Sequence, residues 1–76
     1  MITVKLYGLL RLNSGIKERQ LEAASVKEVI AHLCGEGIPK KEIEGCIILI
    51  NGKHANKRSK LASGDTVVLM SPVAGG

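Results

Sequence analysis

The sequence predicts an α+β domain in which a mixed sheet of four to five strands packs on one main helix. Three observations carry that expectation. The opening residues ITVKLY alternate apolar and polar side chains, the period of a half-buried strand. One segment, Val26 to Cys34, repeats apolar residues at helical spacing. Two further apolar runs of strand length, CIILI and TVVLM, follow it and are bounded by an Asn-Gly and a Gly-Asp turn.

In ITVKLY, Ile2, Val4 and Leu6 share one face, and Thr3, Lys5 and Tyr7 share the other. Gly8 to Gly15 contains an Asn-Ser-Gly cluster and is expected to turn the chain, after which IKERQLEA returns as a second strand of weaker alternation. Val26, Val29, Ile30, Leu33 and Cys34 then recur at i, i+3, i+4, i+7 and i+8. Ser25 and Glu28 fit a capping box at the start of that helix. Gly35 or Gly37 ends it in a left-handed cap, and Pro39 prevents simple continuation. KKEIEG adds a short turn. CIILI, continuous and rich in β-branched residues, reads as a central strand buried on both faces. Asn51-Gly52 suits a type I′ turn, a basic loop follows, and Ser63-Gly64-Asp65 turns the chain into the last strand, TVVLM. Strand, strand, helix, strand, strand, with one amphipathic stripe to cover one sheet face, is the β-grasp arrangement. It divides the chain into a β-grasp domain over residues 1–71 and a flexible Gly-Gly tail over residues 72–76. Pro72 blocks further ladder pairing and biases Ser71 toward an extended conformation, so Val73, Ala74, Gly75 and Gly76 are expected to project as an arm.

Composition narrows the functions open to such a domain. Tyr7 is the only aromatic residue among the 76, which provides poorly for stacking on nucleobases. The net charge of +4 is concentrated in Lys53, Lys57, Arg58 and Lys60 around His54. That run reads first as a solvated loop, and second as the signal of a small basic nucleic-acid- or protein-binding module. Cys34 and Cys46 are too few and too far apart for a metal knuckle or a CxxC redox pair, and are expected to be buried as small hydrophobes. His32 and His54 have no Cys, Ser or carboxylate at a spacing that implies a catalytic triad. Glu36, Glu42 and Glu44 look like solvated ends of helices and turns. Neither a catalytic residue nor a metal site is expected within this chain. The longest apolar run, Cys46 to Ile50, is far too short to cross a bilayer, and nothing at Met1 to Lys5 resembles a signal peptide. A cytoplasmic, reducing setting with no membrane partner is expected.

The remaining chemical group is the α-carboxylate of Gly76. It is ionised at neutral pH and can attack phosphorus, yet it is a poor acyl donor until one oxygen becomes a leaving group. ATP can provide that, giving an acyl-adenylate. With no side chain at Gly75 or Gly76, the arm can thread a narrow channel in a partner enzyme.

The alternation in ITVKLYGLLR, the ILINGK strand and turn, and the ending LASGDTVVLMSPVAGG resemble the small subunit of molybdopterin synthase and the thiamin sulfur carriers. These are ubiquitin-like β-grasp sulfur carriers. The resemblance implies that an E1-like adenylating enzyme uses ATP to adenylate Gly76, and that a sulfur donor protein then converts it to a thiocarboxylate. It further implies that the large subunit of molybdopterin synthase receives the sulfur onto a pterin precursor. Pro72, Val73, Ala74 and Gly75 would thread the partner's active site, the catalytic groups would belong to the partners, and no cofactor would be bound permanently. Related carriers serve thiamin thiazole or other sulfur pathways, or are attached to protein lysines as ubiquitin-like modifiers.

Overall fold

The alternation of the first residues produces β1 (Ile2–Tyr7), whose Ile2, Val4 and Leu6 are buried while Thr3, Lys5 and Tyr7 point the other way. A computed structural model describes residues 1–71; Pro72, Val73, Ala74, Gly75 and Gly76, which carry the expected tail, lie outside the described residues. Beyond β1 the chain forms α1 (Leu9–Ser14), β2 (Glu18–Leu21), α2 (Val26–Gly35) and α3 (Lys40–Glu44). It ends with β3 (Ile47–Ile50), β4 (Lys53–His54) and β5 (Thr66–Met70). The five strands make one mixed sheet in the order β2-β1-β5-β3-β4. β1 and β5 run parallel at its centre, and the other neighbours are antiparallel.

α2 is the main helix, and it forms where the apolar stripe predicts. Ser25 Oγ accepts the Glu28 N–H at 3.3 Å. The Glu28 carboxylate reaches back to the N–H of Ala24 at 3.2 Å, one residue before the N-cap itself. At the other end Gly37, with φ 103°, takes the left-handed position. The Gly37 N–H donates to Cys34 O and the Ile38 N–H to Leu33 O, the bond pair of a Schellman cap, which folds Ile38 back into the core. Val26, Val29, Ile30 and Leu33 join Ile2, Val4, Leu6, Ile48, Val67 and Leu69 in one cluster. Burial of each such side chain contributes roughly 1.5–3 kcal/mol, so the helix-to-sheet layer dominates the stability of this small domain.

Two segments differ from the sequence reading. Gly8 to Gly15 is a short helix flanked by two glycines of positive φ, because the Asn-Ser-Gly cluster closes the helix at Gly15. Leu10 is the residue it buries. CIILI is not buried on both faces: Ile48 is buried, Leu49 and Ile50 are half-buried, and Ile47 is 41% exposed. The helices cover only one face, and the middle position in the sheet belongs to β5. The Asn51-Gly52 turn forms as expected, with φ of 51° and 84° and with Ile50 paired to Lys53.

Among the described residues no helix is long and apolar enough to cross a membrane.

Candidate functional site

β1 and β5 run parallel in register, Tyr7 beside Met70, so both strands end at the same edge of the sheet. At that edge sits Ser71, the last of the described residues. Its N–H donates to Tyr7 O at 3.4 Å. Its hydroxyl donates to the same carbonyl at 3.3 Å and accepts the Leu10 N–H at 3.1 Å. Gly8 is the N-cap of α1 and has no side chain with which to satisfy the first turn. The hydroxyl of Ser71, more than sixty residues away in sequence, therefore supplies the capping acceptor. Gly8 leaves room for it: a Cβ there would lie 2.5 Å from Ser71 Oγ and 3.3 Å from Ser71 O. Its backbone, at φ 72° and ψ −148°, is also in a region open essentially to glycine alone. A hollow of about 250 Å³ lies beside this joint, lined by Leu9, Leu10, Asn13, Glu42 and Ser71.

The sheet face away from α2 adjoins the same edge. Register aligns Tyr7, Met70 and Ile47 across β1, β5 and β3, and behind them Lys5, Val68, Leu49 and, on β4, His54. Tyr7 is 39% exposed, and Val68, Met70 and Leu49 are half-buried with no helix over them. Leu9 and Leu12 on α1 are exposed as well. Tyr7, Met70, Ile47, Val68 and Leu49 thus line up as an apolar strip on the open face, edged by Lys5 and His54, the kind of surface through which proteins associate.

Among the described residues the histidines and cysteines lie apart from one another. His32 Nε2 lies 3.2 Å from Glu36 Oε2, and Arg19 Nε lies 2.9 Å from Glu36 Oε1, an exposed network at the end of α2. His54 is exposed on β4. Cys34 and Cys46 are half-buried free thiols packed against the core, less enclosed than expected. Burial, with a smaller contribution from the Glu42 charge, pushes the Cys46 thiol above its ordinary pKa. That thiol donates to Glu42 O at 3.2 Å and stays protonated at neutral pH. Among the described residues no three His, Cys, Asp or Glu side chains gather to hold a metal.

The predicted site residues Pro72, Val73, Ala74, Gly75 and Gly76 lie outside the described residues. An exposed apolar patch on the sheet face near the tail is what docking on two enzymes leads one to expect; what sequence reasoning did not supply is the joint at Ser71 and the identity of the residues that form the face. Gly8 directly after an alternating strand, and the second phase of TVVLM continued by Ile47 and Leu49, were the available signals.

A mixed five-stranded sheet packed on one main helix, in the order β2-β1-β5-β3-β4, places the chain in the class of ubiquitin-like β-grasp domains. Within that class the chain belongs to the ThiS family, whose model matches residues 4–76. No curated protein matches it in sequence. Among solved structures it is similar to SAMP1 from Haloferax volcanii, with a TM-score of 0.82 and 25% identity over 99% of this chain and 98% of that one. It is also similar to a chain in the complex of subunits 1 and 2 of molybdopterin-converting factor from Helicobacter pylori. There the TM-score is 0.74 and the identity 26%, over 99% of this chain and 97% of that one. A chain of the BexX/CysO complex from Amycolatopsis orientalis shares the fold, at TM-score 0.79 and 22% identity with both chains fully covered.

Proposed function

We propose that the protein is a sulfur carrier for molybdopterin synthesis, the cofactor core of molybdenum or tungsten enzymes, acting in the cytoplasm. The Gly76 carboxylate attacks the α-phosphorus of ATP in an E1-like enzyme and expels pyrophosphate. A sulfur donor protein then delivers sulfide sulfur to the acyl carbon and AMP leaves, giving a thiocarboxylate. The large synthase subunit accepts the tail, with Pro72, Val73, Ala74 and Gly75 in its channel, and the sulfur passes to the pterin precursor. This chain supplies the carrier group, and its partners supply the catalysis and the ATP.

The observation that carries the reading is the ThiS-family match, which runs through the Gly-Gly at residues 75 and 76. The joint at Ser71 and the apolar face beside it agree with a role in which the tail and one surface engage a partner together. The molybdopterin-converting factor neighbour, solved as a two-subunit complex, supports the synthase reading. The similarity to SAMP1, a small archaeal modifier protein, supports a second reading in which Gly76 forms isopeptide bonds with protein lysines. Delivery to thiamin thiazole is a third.

Intact-mass analysis with an activating enzyme, ATP and a sulfide source tests the carrier step. The expected result is a gain equal to exchanging one oxygen for sulfur, lost when Gly76 is deleted and strongly reduced in Gly76→Ala. No gain in the wild type overturns the reading. Offering the charged protein to a large synthase subunit with the pterin precursor then separates the pathways. Thiazole formation or lysine conjugates in place of pterin sulfuration would select the alternatives.

A further inference from the structure

The basic loop, which the carrier chemistry leaves unused, forms one wall of a groove on the helix side of the molecule. The groove has a volume of about 370 Å³. The first turns of α2 supply Lys27 and Ile30, α3 supplies Lys40 and Glu44, and the loop after β4 supplies Lys57 and Arg58. Ile30 is nearly buried and makes an apolar floor. The rim charge is one-sided, four cations against one carboxylate. That carboxylate, Glu44, lies 3.6 Å from Lys57 Nζ, while Lys27, Lys40 and Arg58 have no ion-pair partner among the described residues.

Two features make this more than a solvated run of charge. The loop is held in shape by its own side chains: Asn56 Oδ1 accepts the Arg58 N–H at 2.8 Å, and Ser59 Oγ accepts the Asn56 N–H at 3.1 Å. A wall ordered beforehand loses less entropy on binding. The groove also lies on the side of the sheet covered by α2, opposite Tyr7 and Ile47, so a protein docked on the open face leaves it accessible.

We infer that this groove binds an acidic segment of a partner protein, with carboxylates on the cationic rim and a branched aliphatic side chain seated over Ile30. Charge complementarity selects the acid, and the apolar floor selects a peptide over a polynucleotide. No aromatic ring lines the groove, so bases would find no aromatic platform to stack on. Two surfaces on opposite sides allow two partners to be held at once. The inference is independent of the chemistry at Gly76.

The test is a titration of the 15N-labelled full chain with the peptide acetyl-Asp-Glu-Leu-Glu-Asp-amide at low salt. Amide shifts are expected at Lys27, Ile30, Lys40 and Arg58. Affinity should fall about tenfold or more in the Lys27→Glu/Arg58→Glu variant, and several-fold when the peptide leucine is replaced by alanine or the salt is raised. Both residues are exposed and without ion-pair partners among the described residues, so an unchanged Tm serves as the folding control. Should the double variant unfold, Lys27→Gln and Arg58→Gln singly give the same reading in smaller steps. Shifts confined to the open face, or equal binding of the alanine peptide, overturn the proposal. So does displacement of the peptide from the groove by an equal concentration of a ten-nucleotide oligothymidylate, which would assign the groove to nucleic acid.

Discussion

Gly8 and Ser71 form a pair that neither residue explains alone. The glycine creates an uncapped helix start and the space above it, and the serine fills both with one oxygen. Ser71→Ala removes a cap and should cost about 1 kcal/mol. Gly8→Ala meets the hydroxyl and also forces a side chain into glycine-only backbone, so it should cost more, of order 1–3 kcal/mol. In the double variant the oxygen is gone while the backbone strain stays. Its cost should therefore be less than the sum of the two, and urea unfolding of the four proteins measures the difference. Strict additivity would show that the two residues do not meet as described.

At the scale of elements, the open sheet face is the surface whose loss should separate docking from folding. Ile47 is half out in solvent, so Ile47→Glu adds a charge there at little cost to the fold. If partner enzymes dock on this face, the variant should keep its Tm within a few degrees while its affinity for the activating enzyme drops about tenfold or more. Retained affinity would place docking elsewhere. The same face shows where sequence reading stops. α2 was legible to within a residue, because its stripe and capping box agree on one start and Gly35 or Gly37 could close it; the structure gives the left-handed position to Gly37. The Asn51-Gly52 hairpin was legible for the same reason, its turn chemistry being local. CIILI was misjudged because periodicity cannot distinguish an apolar side chain buried under a helix from one held out for a partner. The Gly8–Ser71 joint was invisible because its two halves meet only after β1 and β5 pair.

For the molecule as a whole, the ends of the central strands are tied at both edges of the sheet. Ser71 ties one edge, and Asp65 ties the other. The Asp65 carboxylate accepts the Ala62 N–H at 2.8 Å and the Asn51 side-chain amide at 2.9 Å, while its backbone carbonyl accepts the Thr3 N–H at 3.0 Å. Asn51 in turn accepts the Thr66 N–H. The turns before β5 and after β3 are thereby joined to each other and to β1. The bond from the Ala62 backbone, and after it the one from Asn51, hold the Asp65 carboxyl below its ordinary pKa. A carboxyl that binds its proton less readily folded than unfolded stabilises the fold fully above the unfolded pKa, near pH ~4, and loses that stabilisation as the pH falls through the lowered folded value. Asp65→Asn keeps the size but removes the charge and the titration. The variant should be less stable than the wild type at pH 7, and the gap should narrow steadily below about pH 4 as the wild-type carboxyl takes up its proton. Thermal unfolding of both proteins across that range reads the gap directly. A difference in Tm that stays constant from neutral to acid pH would mean that the tie between the turns does not depend on the charge of Asp65.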